Sequence, residues 1–117
     1  MTNKRRHKRF PLTGSAVLTF SGIGNDEKIN TIISDISLSG IGLYSDIPLK
    51  DNADVSVEIK FIATDGLIKT DFIQGHIVYV RKFGDMYFLG IQFHNEINES
   101  NQPYLNEHLQ KLYSLNY

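Results

Sequence analysis

Two clusters in this 117-residue sequence carry residue types at spacings that chemistry can use. Lys4, Arg5, Arg6, Lys8 and Arg9 place five cations within six positions, with His7 among them. Arg5 and Arg9 form an R-x-x-x-R pair directly ahead of Phe10-Pro11. A guanidinium presents five donors in a planar fork, which suits phosphate oxygens and the O6/N7 edge of guanine, and its face can stack on a base. Taken alone, such a run fits a solvated tail equally well. Pro11 disfavours helix at Phe10, so the arm is expected to enter the domain in extended backbone.

The second cluster is Asp35-Ile36-Ser37-Leu38-Ser39-Gly40, a D-x-S-x-x-G pattern. Two residues apart in extended backbone, Asp35 and Ser37 share one face. A carboxylate accepts two N–H bonds and so matches the N1–H and N2–H₂ donors of guanine, while a hydroxyl can serve a phosphate or a base. Gly40 either takes a backbone conformation closed to other residues or lets a ligand approach the chain. By itself the pattern also reads as an ordinary Asx or Ser turn.

The charge balance bears on both clusters. Twelve basic residues face thirteen acidic ones, for a net charge of −1. With five cations in the arm, seven basic residues remain against all thirteen acidic ones, so the rest of the chain carries −6. A cationic arm on an acidic body points to phosphates as partners of the arm, and the acidic body disfavours a general nucleic-acid-binding barrel. The absence of cysteine removes disulfides, thiolate metal sites and cysteine nucleophiles. The three histidines beyond the arm, His76, His94 and His108, have no paired ligand spacing, and the carboxylates show no metal-loop pattern, so no metal or cofactor is expected. No phosphate-binding P-loop, nucleophile elbow or kinase motif occurs, and Ser37 has no evident base. Catalysis is therefore not expected.

The elements that must position these residues read as β-structure. Strands are predicted at Ser15–Phe20, Lys28–Ser34, Ile41–Ser45, Asp54–Phe61, Leu67–Arg81 and Tyr87–Phe93. Val55, Val57, Ile59 and Phe61 alternate with polar residues, which is the period of a half-buried strand. Residues 21–26, 64–66 and 83–85 carry turn signals. Gly75 is expected to mark a bulge or bend in its long strand. Tyr44, Tyr79 and Tyr87 alternate with apolar residues and read as core or barrel-wall positions. Tyr104, Leu105, Leu109 and Leu112 recur at helical spacing, which predicts a helix at about 100–114, capped by Asn98 or Ser100 and with Pro103 in its first turn. Six strands joined by short turns pair antiparallel and hide their edges by closing. The expectation is an all-β fold: a six-stranded antiparallel barrel over 10–117 with a C-terminal helix, preceded by a flexible basic arm at 1–9.

The arm, two strands and D-x-S-x-x-G inside a small barrel with a C-terminal helix resemble the PilZ domain, a family of bacterial receptors for cyclic di-GMP. Leu89-Gly90-Ile91-Gln92-Phe93 is similar to the family's late G-x-x-F strand. The resemblance covers nearly the whole chain, and no required position of either motif departs from the pattern. It implies that Arg5 and Arg9 clamp the phosphates and Hoogsteen edges of the guanines. It implies that Asp35, Ser37 and Gly40 form a surface motif holding a guanine. Arg6 and His7 are additional support. Lys4 precedes the first motif arginine, at a position that influences how many nucleotides the family binds, and a cation there favours an intercalated pair over one molecule.

The resulting expectation is a binding module, not an enzyme, that orders its arm on cyclic di-GMP and signals to a downstream protein. The rival on the same fold is a protein-interaction adaptor indifferent to nucleotide. Apolar runs are too short for a membrane-spanning helix, and the N-terminus has no apolar stretch of a secretory signal. Membrane insertion is thus not expected, and a cytoplasmic address is.

Overall fold

The structure is a computed structural model that describes residues 7–21 and 26–115. Seven strands and one helix follow in chain order: β1 (Phe10–Pro11), β2 (Gly14–Ser21), β3 (Asp26–Ile36), β4 (Gly40–Ser45), β5 (Asp54–Ile62), β6 (Ile68–Phe83), β7 (Met86–Phe93) and α1 (Pro103–Leu115). Of the turn expected at 21–26, Ser21 and Asp26 belong to β2 and β3, and 22–25 lie outside the described residues. All pairings are antiparallel, in the order β1-β3-β2-β5-β6-β7-β4. A further β3–β4 pairing closes the six longer strands into a barrel. The long β6 pairs with β5 over its first half and with β7 over its second, so it joins the two sides of the barrel. The expected six-stranded barrel with a C-terminal helix is therefore the fold. The two-residue β1 is an addition, and β3 and β6 run beyond the bounds that patterning predicts.

The core follows from period-two alternation. On β5, Val55, Val57, Ile59 and Phe61 point inward and are buried. Leu18, Ile36, Ile41, Leu43, Ile77 and Leu89 join them from the other strands. Each such side chain contributes about 1.5–3 kcal/mol relative to exposure.

The helix closes over this core with Leu105 and Leu109 fully buried and Leu112 half-buried. Tyr113 meets Phe10 edge-on at 5.2 Å, and His108 meets Phe61 at 5.3 Å. Tyr104, predicted for the same stripe, is exposed instead, with the Lys69 ammonium 4.9 Å from its ring centroid. The helix also begins later than predicted. Asn98 builds the turn before it, accepting the Asn101 N–H at 2.9 Å through Oδ1 and the Gln102 N–H at 2.9 Å through its carbonyl. The helix's own free N–H at Leu105 donates to Asp71 Oδ2 of β6 at 2.7 Å. A strand thus supplies the cap that local sequence was expected to provide.

Two register slips shape the barrel. One lies between Ile33 and Asp35 where β3 faces β4, the other between Ile77 and Tyr79 where β6 faces β7. The second corrects the expectation for Gly75. That residue stays in register opposite Phe93, and a Cβ there would lie 2.6 Å from the Gln92 carbonyl oxygen. Gly75 permits a close strand approach, and the slip falls three residues later, at Val78.

Candidate functional site

The short β1 brings the end of the basic arm onto the barrel. Phe10 pairs opposite Ile36 and Pro11 opposite Asp35. The Phe10 ring is buried against Tyr113, which pins the chain between β3 and the helix. Arg9, one residue earlier, is thereby set beside Asp35. Its Nε donates to Oδ2 at 3.0 Å and its Nη2 donates to Oδ1 at 3.2 Å. The two parallel bonds make a bidentate, charge-assisted pair that fixes the plane of the guanidinium. Among the described residues, Asp35 takes up only Nε–H and one Nη2–H of the five Arg9 donors. Its Nη1 lies 3.8 Å from where a Cβ on Gly40 would stand.

The loop between β3 and β4 is held from within. Ser37 is only 1% exposed. Its hydroxyl accepts the N–H groups of Ser39 and Gly40, each at 3.2 Å, and its own N–H donates to the Gly40 carbonyl at 2.9 Å. Ser37 therefore shapes the loop, and its hydroxyl is turned away from the surface. The Phe93 N–H donates to the Ser39 carbonyl at 2.9 Å and ties the loop to β7. Gly40 has no positive φ. A Cβ there would sit 2.6 Å from the Ile91 carbonyl oxygen, so the residue is small because β7 passes close beneath it.

These pieces border a shallow hollow of about 160 Å³. Arg9, Ser39 and Gly40 line one side, Val78 and Gly90 line the other, and Gln92 lies between. Across the strands, Asp35 pairs opposite Gly42, Gly42 opposite Gly90, and Gly90 opposite Tyr79. Gly42 is small because the Asp35 carboxylate and the Phe88 ring stand over it, Oδ1 2.5 Å and Cζ 2.7 Å from where a Cβ would be. The Tyr79 side chain crosses Gly90, with its Cβ 3.1 Å from where a Cβ on the glycine would be. Tyr79 and Tyr44 lie on the outer face of the barrel wall, the wall half of the core-or-wall expectation. Tyr87 does pack against the core.

The structure thus joins Arg9 and Gly40 at one hollow, ties Asp35 to it through the bidentate pair with Arg9, and buries Ser37 in the loop. His7 turns elsewhere, with its Nε2 3.5 Å from Glu96 Oε2. Lys4, Arg5 and Arg6 lie outside the described residues. Patterning missed Ser39, Val78 and Gln92. Ser39 stood inside D-x-S-x-x-G and Gln92 inside the G-x-x-F strand, while Val78 reaches the hollow through strand pairing with no local signal.

A larger hollow of about 330 Å³ lies where β6 meets the segment after β7. Its lining is Phe72, Ile73, His94 and a set of side-chain amides, with no lysine or arginine to meet an anion. Among the described residues, no group of three or more His, Cys, Asp or Glu side chains is disposed to hold a metal. Among them too, no helix is long and apolar enough to cross a membrane.

A family model described as the PilZ domain matches residues 3–113. No curated protein matches the chain. The structure of the inhibitor of motility MotI/DgrA from Bacillus subtilis aligns with a TM-score of 0.73 at 10% identity, over 97% of this chain and 53% of that one. The PilZ domain of YcgR from Escherichia coli, with c-di-GMP, aligns with a TM-score of 0.59 at 14% identity, over 97% and 92%. The MrkH–c-di-GMP complex from Klebsiella pneumoniae aligns with a TM-score of 0.65 at 22% identity, over 95% and 53%. The chain spans about half the length of MotI/DgrA and of MrkH.

Proposed function

The chain belongs to the PilZ domain family, and from that premise we propose that it is a receptor for cyclic di-GMP, which it binds at the hollow beside Arg9. The observation that carries this reading is the bidentate Arg9–Asp35 pair at the rim of that hollow. The pair holds the guanidinium plane in place before any ligand arrives, so little side-chain entropy is lost on binding. The unused Arg9 donors meet a phosphate oxygen or the O6/N7 edge of a guanine. Asp35 spends one lone pair of each oxygen on Arg9 and keeps acceptor capacity for guanine N1–H and N2–H₂. Ser37 and Gly40 serve by holding the loop at its height.

In this reading residues 1–9 are the arm and part of the ligand site, and 10–117 are the barrel domain. Arg5 supplies the second clamp, with Lys4, Arg6 and Lys8 adding charge opposite the two phosphates. The ligand is one dinucleotide or an intercalated pair, Lys4 favouring the pair. The domain is a binding module rather than an enzyme, and the ordered arm presents the signal to a downstream protein. The two relatives described with c-di-GMP, YcgR and MrkH, support the ligand class.

Isothermal titration of the folded chain with cyclic di-GMP tests the reading and counts the nucleotides. Saturable heat at micromolar ligand is expected. No heat and no amide NMR shift would leave the nucleotide-indifferent adaptor in its place.

A further inference from the structure

β6 pairs with β7 only from Gly75 onward, so the stretch before it turns one edge toward residues 94–102. The larger hollow lies along that edge. Its floor is fixed by groups that stand in for a neighbouring strand. Gln102 Nε2 donates to the Phe72 carbonyl at 3.0 Å, and the His94 N–H donates to the Gln74 carbonyl at 2.9 Å. Gln102 Oε1 accepts the Asn98 N–H at 3.3 Å, and Asn98 Nδ2 donates to the Glu96 carbonyl at 3.1 Å. Gln102 is buried with both ends of its amide committed, so it braces the site rather than serving a ligand.

Above this floor stand polar groups with capacity to spare. Among the described residues, nothing pairs with the side-chain amides of Asn95 and Asn101 or with Gln74 Nε2. Gln74 itself is steadied by Ser56, whose hydroxyl donates to Oε1 at 2.8 Å. His94 Nε2 lies 3.3 Å from Asp54 Oδ1, and the His76 ring stacks on its imidazole at 5.7 Å. A carboxylate only accepts, so the neutral imidazole turns its N–H to Asp54 and keeps Nδ1 as an acceptor. Phe72 brings an aromatic face, 61% exposed, to the same hollow.

The lining selects the ligand. An anion finds no lysine or arginine, and an acyl chain finds no apolar channel, because Phe72 is the one exposed apolar side chain of the lining. A side-chain amide holds donors and an acceptor in one plane, which matches a pair of neighbouring hydroxyls. The apolar C–H face of a sugar ring packs flat on an aromatic ring. At about 330 Å³ the hollow stands at the low end of small-ligand sites, which suits a mono- or disaccharide. We propose that this hollow is a carbohydrate site, taking a neutral sugar through the amides of Asn95, Asn101 and Gln74 with Phe72 as the stacking face. It shares no residue with the hollow beside Arg9, so it stands or falls apart from the receptor reading.

Amide NMR of the isotopically labelled chain tests the proposal. The titrants are cellobiose and maltose, which join the same glucose rings through different linkages, and trialanine, which offers peptide N–H and C=O groups without a sugar face. Saturable shifts of the Asn95, Asn101 and Gln74 side-chain signals are expected with at least one disaccharide and not with trialanine. Phe72→Ala should weaken that binding about tenfold, whereas Phe72→Tyr, which keeps the ring, should retain it. Position 72 faces outward, so both variants should keep the dispersed spectrum of the fold. No shift with either disaccharide, a matching response to trialanine, or undiminished binding by Phe72→Ala would overturn the proposal.

Discussion

Asp35 and Asp71 each sit on a strand of the same barrel, and their surroundings treat the carboxylate in opposite ways. Asp35, on β3, stays partly open to water and meets a full positive charge on Arg9 through two bonds. Asp71, on β6, is 5% exposed and meets only backbone dipole, the Leu105 N–H at 2.7 Å. Burial pushes its pKa above the ordinary carboxylate value, and the Leu105 and Tyr104 N–H groups only partly offset that. A carboxylate at the rim, paired with a cation that keeps spare donors, is available to a ligand. A carboxylate sunk under a helix terminus is committed to the fold. Burial and the kind of partner therefore separate the proposed site residue from the structural one, although both are single aspartates on strands of one barrel.

The sharpest way to break this contrast is at the rim. Arg9→Ala removes a charge-assisted contact, each of which is worth about 1.5–3 kcal/mol. Affinity for cyclic di-GMP should fall at least about tenfold in calorimetry. Asp35→Ala should weaken binding as well, because it frees the guanidinium to swing. Neither change should cost the fold much, since a partly solvated ion pair contributes about 0–1 kcal/mol. Thermal unfolding that dropped as far as affinity did would mean that the pair is structural and the contrast false.

At Asp71 the balance should reverse. Asp71→Ala leaves the Leu105 N–H without its acceptor and should cost about 1–2 kcal/mol, read by chemical denaturation. Ligand affinity of the folded variant should not change. Asp71→Asn keeps an acceptor oxygen and removes the buried charge, so at neutral pH it should equal or exceed the wild type. The sign follows from the raised pKa. The ionised form is the one disfavoured in the fold, so this residue's contribution declines as pH rises from the ordinary carboxylate value through the raised one. Loss of stability in Asp71→Asn comparable to that in Asp71→Ala would show that the charge itself is needed.

The same contrast explains what could be read in advance. The strands were legible because Val55, Val57, Ile59 and Phe61 alternate, and alternation is what one buried face demands. Arg9, Asp35 and Gly40 were legible because a D-x-S-x-x-G pattern and an R-x-x-x-R pair are local. Ser37 was legible as a position but not in its direction, since only the folded turn shows its hydroxyl taken up by two backbone N–H groups. Asp71 was invisible, for nothing local links it to Leu105, thirty-four residues away. Val78 and Tyr79 were illegible for a different reason. His76-Ile77-Val78-Tyr79-Val80 is apolar in nearly every position, so its pattern cannot say which residue a register slip turns outward. Gly75 drew the expectation of that slip because glycine often marks bulges, but here it answers a close approach by β7.

The smallest effect is expected at the buried imidazole of α1, which extends the comparison from carboxylates to a base. His108 lies against Phe61 beneath the helix, and burial, followed by the nearby Lys111, lowers its pKa from an ordinary value of 6.5. The unfolded chain therefore takes up this proton at a higher pH than the folded one does. Between the ordinary and the lowered value the unfolded state binds more protons, so stability is lost as pH falls below about 6.5. Asp71 works in the opposite direction, its contribution declining as pH rises from the ordinary carboxylate value. His108→Gln removes the imidazole titration and should flatten the pH dependence of the unfolding midpoint just below the ordinary imidazole value, relative to the wild type. An unchanged slope would mean that the folded barrel accommodates the imidazolium at the Phe61 contact and that burial there does not discriminate against charge as it does at Asp71.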